Sequence, residues 1–406
     1  MKAIKISLLG KILVAIALGI GIGLISPEWI VRTFVTFNSI FSQFLGFAIP
    51  LIIVGLVTPA IADIGRKAGK MLIATEHLAS PALRQRAWDM DILLIDKVAY
   101  ISTIFAGLVS YLTGAAFFPS MIAGGEGLKT LSEAIETEPY FSVSIPPLMG
   151  VMTALVLAFM TGLGLASSQH KTLLDAAHGF EEIVTMTIKS AIIPILPLYI
   201  FGIFLNMTYV GQVFAILTVF IKIIGIIFLI HIGILILQFA IAGGLARKNP
   251  FKLLWTMMPA YFTALGTQSS AATIPVTLDQ TKKNGVPEDI AGFTIPLCAT
   301  IHMSGSTLKI VACALALMIM QDIPYDFWQF FGFICMLAIT MIAAPGVPGG
   351  AIMASLGVLQ SMLGFNQDSL ALMIALYIAM DSFGTACNVT GDGAIAIIVN
   401  RLLRKV

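Results

Sequence analysis

From 212 to 243 the chain carries no acidic side chain, and Lys222 and His231 are its only ionisable groups there. About 20 apolar residues in a helix already match the ~30 Å hydrocarbon core of a bilayer. Similar runs recur near 12–31, 34–62, 92–118, 145–168 and 182–205. Only 11% of the 406 residues are charged and the mean hydropathy is +0.98, roughly half the charged share of a soluble domain. A soluble fold is excluded. The expectation is an all-α polytopic membrane protein with room for about eight spans. Its 36 Gly and 18 Pro are too many for uninterrupted spans, but they suit broken helices lining a protein-enclosed cavity. Transport is therefore the first functional class to consider.

The formal net charge of +2 comes from 23 basic and 21 acidic residues without a dense basic run, so nothing points to a nucleic-acid partner. Cys298, Cys313, Cys335 and Cys387 sit in apolar sequence without paired spacing and read as small buried hydrophobes. Lys2, Lys5 and Lys11 precede an apolar stretch in the manner of a leader. Pro27, Glu28 and Trp29 follow it in place of a small-residue cleavage site, which predicts a retained first span. Basic residues gather in alternate links: Arg66, Lys67, Lys70, Arg84 and Arg86, then Lys171, then Arg247, Lys248, Lys252, Lys282 and Lys283, and finally Arg401, Arg404 and Lys405. The positive-inside rule places these links, and both termini, in the cytoplasm.

That topology makes the segment 249–283 enter and leave on one side, although its middle is apolar. Its midpoint, from Gly266 through Thr267, Gln268, Ser269 and Ser270 to Thr273, is small and hydroxylated, as expected where bare backbone approaches a ligand. It reads as a re-entrant hairpin. From 327 to 365 the pattern repeats with acidic flanks, and its midpoint holds Pro345, Gly346, Val347, Pro348, Gly349 and Gly350, which no continuous span would contain. Two opposed hairpins, each beside a full span, fit an inverted repeat with a midplane binding site.

The span near 290–320 has a polar centre, His302-Met303-Ser304-Gly305-Ser306 followed by Lys309. Unwound, it would offer oxygen donors to a cation; helical, it would set His302, Ser306 and Lys309 on one face. Lys309 stands out because an ammonium at bilayer depth must be paired or functional. In the last span, 370–399, Asp381, Thr385, Asn388 and Asp392 fall at i, i+4, i+7 and i+11 on one stripe. Such a stripe must face protein, water or a bound cation rather than lipid.

With these segments in view, the chain resembles the dicarboxylate/amino acid:cation symporters, which include glutamate transporters and bacterial serine/threonine transporters. The likeness rests on the serine-rich first tip followed by Thr273-Ile274-Pro275-Val276-Thr277, the second tip Pro345-Gly346-Val347-Pro348-Gly349-Gly350, and Asp381 through Asn388-Val389-Thr390-Gly391-Asp392. The resemblance implies eight spans plus two opposed re-entrant hairpins, a homotrimer in the bacterial inner membrane, and an elevator movement. It implies a scaffold of spans one and two with the polar link (1–91) and spans four and five (119–205). The mobile domain would be span three (92–118) and the core 206–406. Carried over residue by residue, substrate contacts fall on Ser269, Ser270, Ser306, Gly346, Val347, Gly349, Asp381, Gly384, Thr385 and Asn388. Sodium contacts fall on Ser102, Thr103, Asn388 and Asp392, with His302 and Ser304 in the places of two further ligands.

Several positions depart from the family pattern. The family's Asn-Met-Asp-Gly-Thr box reads His302-Met303-Ser304-Gly305-Ser306, which removes an Asn and an Asp from one sodium site. Gly384 replaces an Arg that pairs with acidic substrates, and Thr267 and Ser382 leave the other arginine positions empty. Neutral amino acids are then favoured, since a substrate carboxylate without a partner is costly in a desolvated site. Lys309 admits two readings: recognition of an acidic substrate, or a built-in cation paired with Asp381 or Asp392 that takes the place of sodium. His302 is a second proton-carrier candidate, and sodium coupling with fewer ions is preferred over proton coupling. The polar segment 75–91 is expected to be a solvated link. The sequence thus predicts a symporter for a small amino acid or dicarboxylate. The competing classes are a channel-like or anion-conducting pore and a proton-coupled acidic amino acid transporter using Lys309. An enzyme is disfavoured because no catalytic motif is present.

Overall fold

The computed structural model describes residues 8–74, 81–122, 137–168, 171–342, 344 and 349–403, with backbone alone over 64–74 and 81–93. Among these residues there is no β-strand, and there are sixteen α-helices. They are α1 (Leu8–Gly23), α2 (Glu28–Ala74), α3 (Pro81–Ile122), α4 (Val151–Ser167), α5 (Lys171–Thr187), α6 (Ile193–Tyr209), α7 (Val213–Ala246), α8 (Pro250–Thr256), α9 (Met258–Thr267) and α10 (Ser270–Lys283). The remaining six are α11 (Glu288–Ile301), α12 (Ser304–Met320), α13 (Phe327–Ile342), α14 (Gly350–Leu363), α15 (Gln367–Ala379) and α16 (Asp381–Leu403). A π-turn, Ile188–Ile192, joins α5 to α6.

Among the described residues six stretches are long and apolar enough to cross a bilayer: Glu28–Asp63, Leu94–Ile122, Lys171–Tyr209, Ile216–Ala246, Glu288–Met320 and Asp381–Leu403. Shorter apolar helices, among them α1, α4 and α15, lie between them. The chain is a polytopic helical membrane protein. Several expected boundaries move. The first span stops at Gly23 rather than near 31, because Pro27 biases its predecessor away from helix and the chain turns before Glu28. The fourth helix begins at Val151, after a non-helical approach from 137. The link expected over 75–91 is helical from Pro81 onward, with proline at the first helical position, where a missing N–H costs nothing. Residues 75–80 lie outside the described residues, as do Gly346 and Val347 of the second hairpin tip.

Packing sorts the helices by neighbour. α1 lies on α6, and α2 lies on α4, α5 and α6. These contacts depend on small residues, the usual device of membrane helix pairs. A Cβ on Gly23 would come 2.8 Å from the Leu205 carbonyl oxygen, and one on Gly162 would come 2.9 Å from that of Thr58. The second group forms around α16, which touches α7, α9, α10, α11, α12 and α3, while α3 runs along α12. Outward side chains of α7 such as Ile221 and Leu229 are 70% exposed. By contrast every residue from Ser304 to Met318 is buried, and so is α16 from Asp381 to Val399 apart from Phe383. A helix enclosed on all sides belongs to the interior of a large fold. The polar stripe of α16 therefore faces protein.

The segments read as hairpins fold as paired helices. α9 and α10 pack on each other around Gln268, whose φ of 53° makes the turn, and α13 packs on α14. The 14 residues of α10 span about 21 Å, short of the ~30 Å core. Two long helices are interrupted at their centres. His302 and Met303 leave helical geometry between α11 and α12, and Met380 does so between α15 and α16. This break decides between the two readings of the region: it is unwound at His302 and Met303, and His302 lies outside the helix that carries Ser306 and Lys309.

Candidate functional site

The breaks at Met303 and Met380 leave helix ends inside the protein, and the polar residues gather on those ends. Breaking a helix exposes a negative carbonyl end and a positive amide end. At Met380 both are used. The Lys309 Nζ donates to the Met380 carbonyl at 3.1 Å, at the carboxyl end of α15. Asp381 opens α16, and its Oδ2 accepts the Gly349 N–H at 2.8 Å, at the start of α14. The ammonium and the Asp381 Oδ1 are 3.7 Å apart, within ion-pair range but beyond a hydrogen bond. Nζ also lies 3.9 Å from the centre of the Tyr377 ring, a cation–π contact. Gly384 creates the space for it, since a Cβ there would collide with Cε and Nζ of Lys309.

Both hairpin tips reach this point. Gln268 Nε2 of the first tip donates to Ser382 Oγ at 2.7 Å, next to the Gly349 contact of the second. Gly349 has a φ of 76°, a conformation that suits glycine. Ser269 caps α10 by accepting the Ala272 N–H at 3.3 Å, with Ser270 as the first residue of that helix. The Thr267 and Thr273 hydroxyls, 2.9 Å apart, tie the tip together.

Two turns along α16 from Asp381, Asn388 caps α12 from outside. Its Oδ1 accepts the Gly305 and Ser306 amides at 2.7 and 3.3 Å, and its Nδ2 donates to Ser306 Oγ at 3.1 Å. Tyr377 Oη donates to the same Ser306 oxygen at 3.1 Å. Thr385 Oγ1 bonds back to the Asp381 carbonyl at 3.1 Å, within its own helix.

Another turn on, Asp392 Oδ1 meets His302 Nδ1 at 2.9 Å. The other ring nitrogen, Nε2, meets Ser102 Oγ of α3 at 3.0 Å. Gln238 of α7 then donates to Ser102 at 3.0 Å and to Ser304 at 3.3 Å. Thr103 lies alongside, accepting the Met303 N–H at 3.3 Å and donating to the Ala99 carbonyl at 3.0 Å. His302 is 0% exposed and Asp392 is 1% exposed.

The expected residues thus fall into one column along α16: Lys309, Asp381 and Gly384 at its start, then Ser306, Thr385 and Asn388, then His302, Ser304, Ser102 and Asp392. Gln238 and Tyr377 also belong to the column, although sequence reasoning passed them over. Gln238 had a signal, a carboxamide inside an apolar run, where polar groups mark helix contacts. Lys222 and His231 drew attention in that run instead. Lys222 reaches the Met121 carbonyl, and His231 pairs with Tyr261.

The sequence profile of the sodium:dicarboxylate symporter family matches residues 8–79 and 93–402. The chain belongs to that family. Along almost its whole length this symporter is similar to the serine/threonine transporter SstT of Acinetobacter baumannii, with 26% identity over 401 residues, 96% of this chain and 95% of the relative. A shorter stretch of 159 residues is 34% identical to excitatory amino acid transporter 1 of Rattus norvegicus, covering 39% of this chain and 29% of that one. The human form of the same transporter gives 33% over the same length. The family consists of symporters, and the relatives are transporters rather than enzymes.

Proposed function

We propose that the chain is a sodium-driven symporter that carries a small amino acid, neutral in preference to acidic, or a dicarboxylate, into the cell. The observation that carries this reading is the meeting of the two hairpin tips on successive residues of α16, at Ser382 through Gln268 and at Asp381 through Gly349. A pocket closed by two helix-turn-helix tips can open by displacing either one without unpacking a long helix, which is what alternating access requires. Helices α10, α14 and α16 begin at this point, so their amide ends suit a substrate carboxylate. Asp381 is the residue for the substrate ammonium, in exchange for the long contact to Lys309. Ser269, Ser270, Gly346, Val347, Thr385 and Asn388 complete the proposed substrate shell.

Neutral substrates are favoured because Thr267, Ser382 and Gly384 supply no guanidinium and the Lys309 ammonium is held by the Met380 carbonyl. The name of the Acinetobacter relative agrees with this. A second reading is specifically motivated by the position of Lys309 over Gly384: from there its ammonium would receive the side-chain carboxylate of an acidic amino acid, with proton coupling.

Movement would follow the packing groups. The helices of 1–91 and 119–205 would form a fixed scaffold, carrying 92–118 and 206–406 past it as an elevator within a homotrimer. The protein would reside in a bacterial inner membrane with both termini in the cytoplasm. Uptake into proteoliposomes, driven separately by sodium and by proton gradients and offered neutral and acidic amino acids, tests all of this. Accumulation of a neutral amino acid with sodium is expected, and no accumulation under either gradient overturns the proposal. Flux that neither saturates nor needs a gradient would indicate a pore. Asp392→Asn should abolish coupled uptake.

A further inference from the structure

We infer that the imidazole of His302 separates Ser102 from Asp392, so that no single sodium ion is shared by these two residues of α3 and α16. The inference rests on the symport reading and says which part of the coupling machinery this chain lacks.

The argument is geometric. Ser102 and Asp392 approach opposite edges of one rigid ring, at 3.0 Å from Nε2 and 2.9 Å from Nδ1. A hard cation bound to oxygens at roughly 2.3–2.6 Å holds two ligands no more than about 5 Å apart. Two hydrogen bonds of this length laid end to end, with an imidazole between them, exceed that separation. The two oxygens therefore cannot share an ion while the ring lies between them.

The ring is also held in place. It is 0% exposed, and it lies so close to α16 that a Cβ on Gly391 would be 2.7 Å from its Cε1 and 2.8 Å from Gln238 Oε1. Glycine at 391 is what lets the imidazole and the carboxamide lie against the helix. On the side facing α16 the ring has no room to move without displacing Gln238 or the helix.

The donor set around it is poor for a cation as well. Ser304 brings a hydroxyl where a carboxylate would bring charge, and that hydroxyl accepts from Gln238 Nε2. Ser102 Oγ faces the same carboxamide nitrogen. Asp392 is the one carboxylate that meets His302, and its Oδ1 is committed to the ring. N–H groups point at the oxygens that a cation would need. Gln238 Oε1 is buried and without a hydrogen-bond partner in the structure.

The test compares radioactive sodium binding to purified wild-type protein and to the His302→Asn/Ser304→Asp double variant, which removes the ring and restores two oxygen donors. One additional sodium per protomer is expected in the double variant. In proteoliposomes under a roughly tenfold sodium gradient, one more coupled ion raises limiting substrate accumulation by about tenfold. Equal sodium occupancy in the two proteins overturns the inference. Should the double variant fold poorly, thallium(I) soaked into crystals of the wild-type protein decides the matter. An anomalous peak between Ser102 and Asp392 overturns the inference, and an intact imidazole without a peak there upholds it. Failure of uptake under every gradient would sink the symport reading alone, because the binding and scattering measurements need no transport.

Discussion

Asp381 and Asp392 stand on one helix about three turns apart, and their surroundings differ in kind. Asp381 is met by chain ends: the start of α14 through Gly349, the end of α15 through the Lys309 contact at Met380, and, at the next residue, the first hairpin tip through Gln268. Asp392 is met by His302 from the α11–α12 break, itself held by Ser102 on the side of α3 and, through Ser102, by Gln238 on the side of α7. Contacts to a tip can be undone by moving that tip. Contacts to the sides of packed helices are undone only by repacking. The contacts of the first carboxylate can therefore be undone by moving a tip and those of the second cannot, although both are buried and lie on the same stripe.

The sharpest way to break this comparison is Lys309→Met, which leaves Asp381 without its ammonium in a closed site. A loss of about 3–5 kcal/mol is expected when one partner of a buried pair is removed, read as a lower thermal midpoint in detergent. Most of it should return in Lys309→Met/Asp381→Asn, and an unchanged midpoint in the single variant would show that the ammonium does not stabilise the carboxylate. Gly384→Ala comes next. Its Cβ would press on Lys309, at a cost of about 1–3 kcal/mol for overpacking. Lys309→Ala in the same chain should relieve it, so additive losses would place the ammonium elsewhere.

In the middle of α16 the expected effects are smaller. Ser102→Ala removes the hydroxyl between Gln238 and His302 and should cost about 1 kcal/mol in the same assay; no loss at all would argue that the chain of contacts is not formed. The smallest effect is expected from Ser269→Gly, since glycine in an N-cap costs only a few tenths of a kcal/mol. Uptake reads the other half of that prediction. A fall in substrate affinity well beyond the stability change is expected if the Ser269 hydroxyl contacts substrate, and proportional changes would reduce it to a cap.

Much of this architecture could be read from residue order because a bilayer leaves few solutions. The runs near 34–62, 92–118 and 212–243 lie within α2, α3 and α7. The stripe from Asp381 to Asp392 needed only helical periodicity, and all four residues lie on α16. Periodicity alone left His302 open. An unbroken helix would put it on one face with Ser306 and Lys309 and an unwound stretch would not; the two non-helical residues turn the imidazole toward α3 and Asp392. Gln238 and Tyr377 were passed over for a related reason: a lone amide or phenol in an apolar helix acquires meaning only from the neighbour it meets.

The sequence by itself determined that this chain spans a membrane with helices, that two segments fold as helix pairs, and that ionisable groups lie inside apolar helices. Each follows from the cost of placing polar backbone or charge in lipid, which one strand of residues already expresses. Only the tertiary structure decided which charge meets which. Lys309 pairs with Asp381 rather than Asp392, and His302 with Asp392, because partners 72 and 90 positions apart are chosen by how α12 and the α11–α12 break dock on α16. The glycines at 384 and 391, which admit the two side chains, are unremarkable in the sequence and become necessary only once those helices touch.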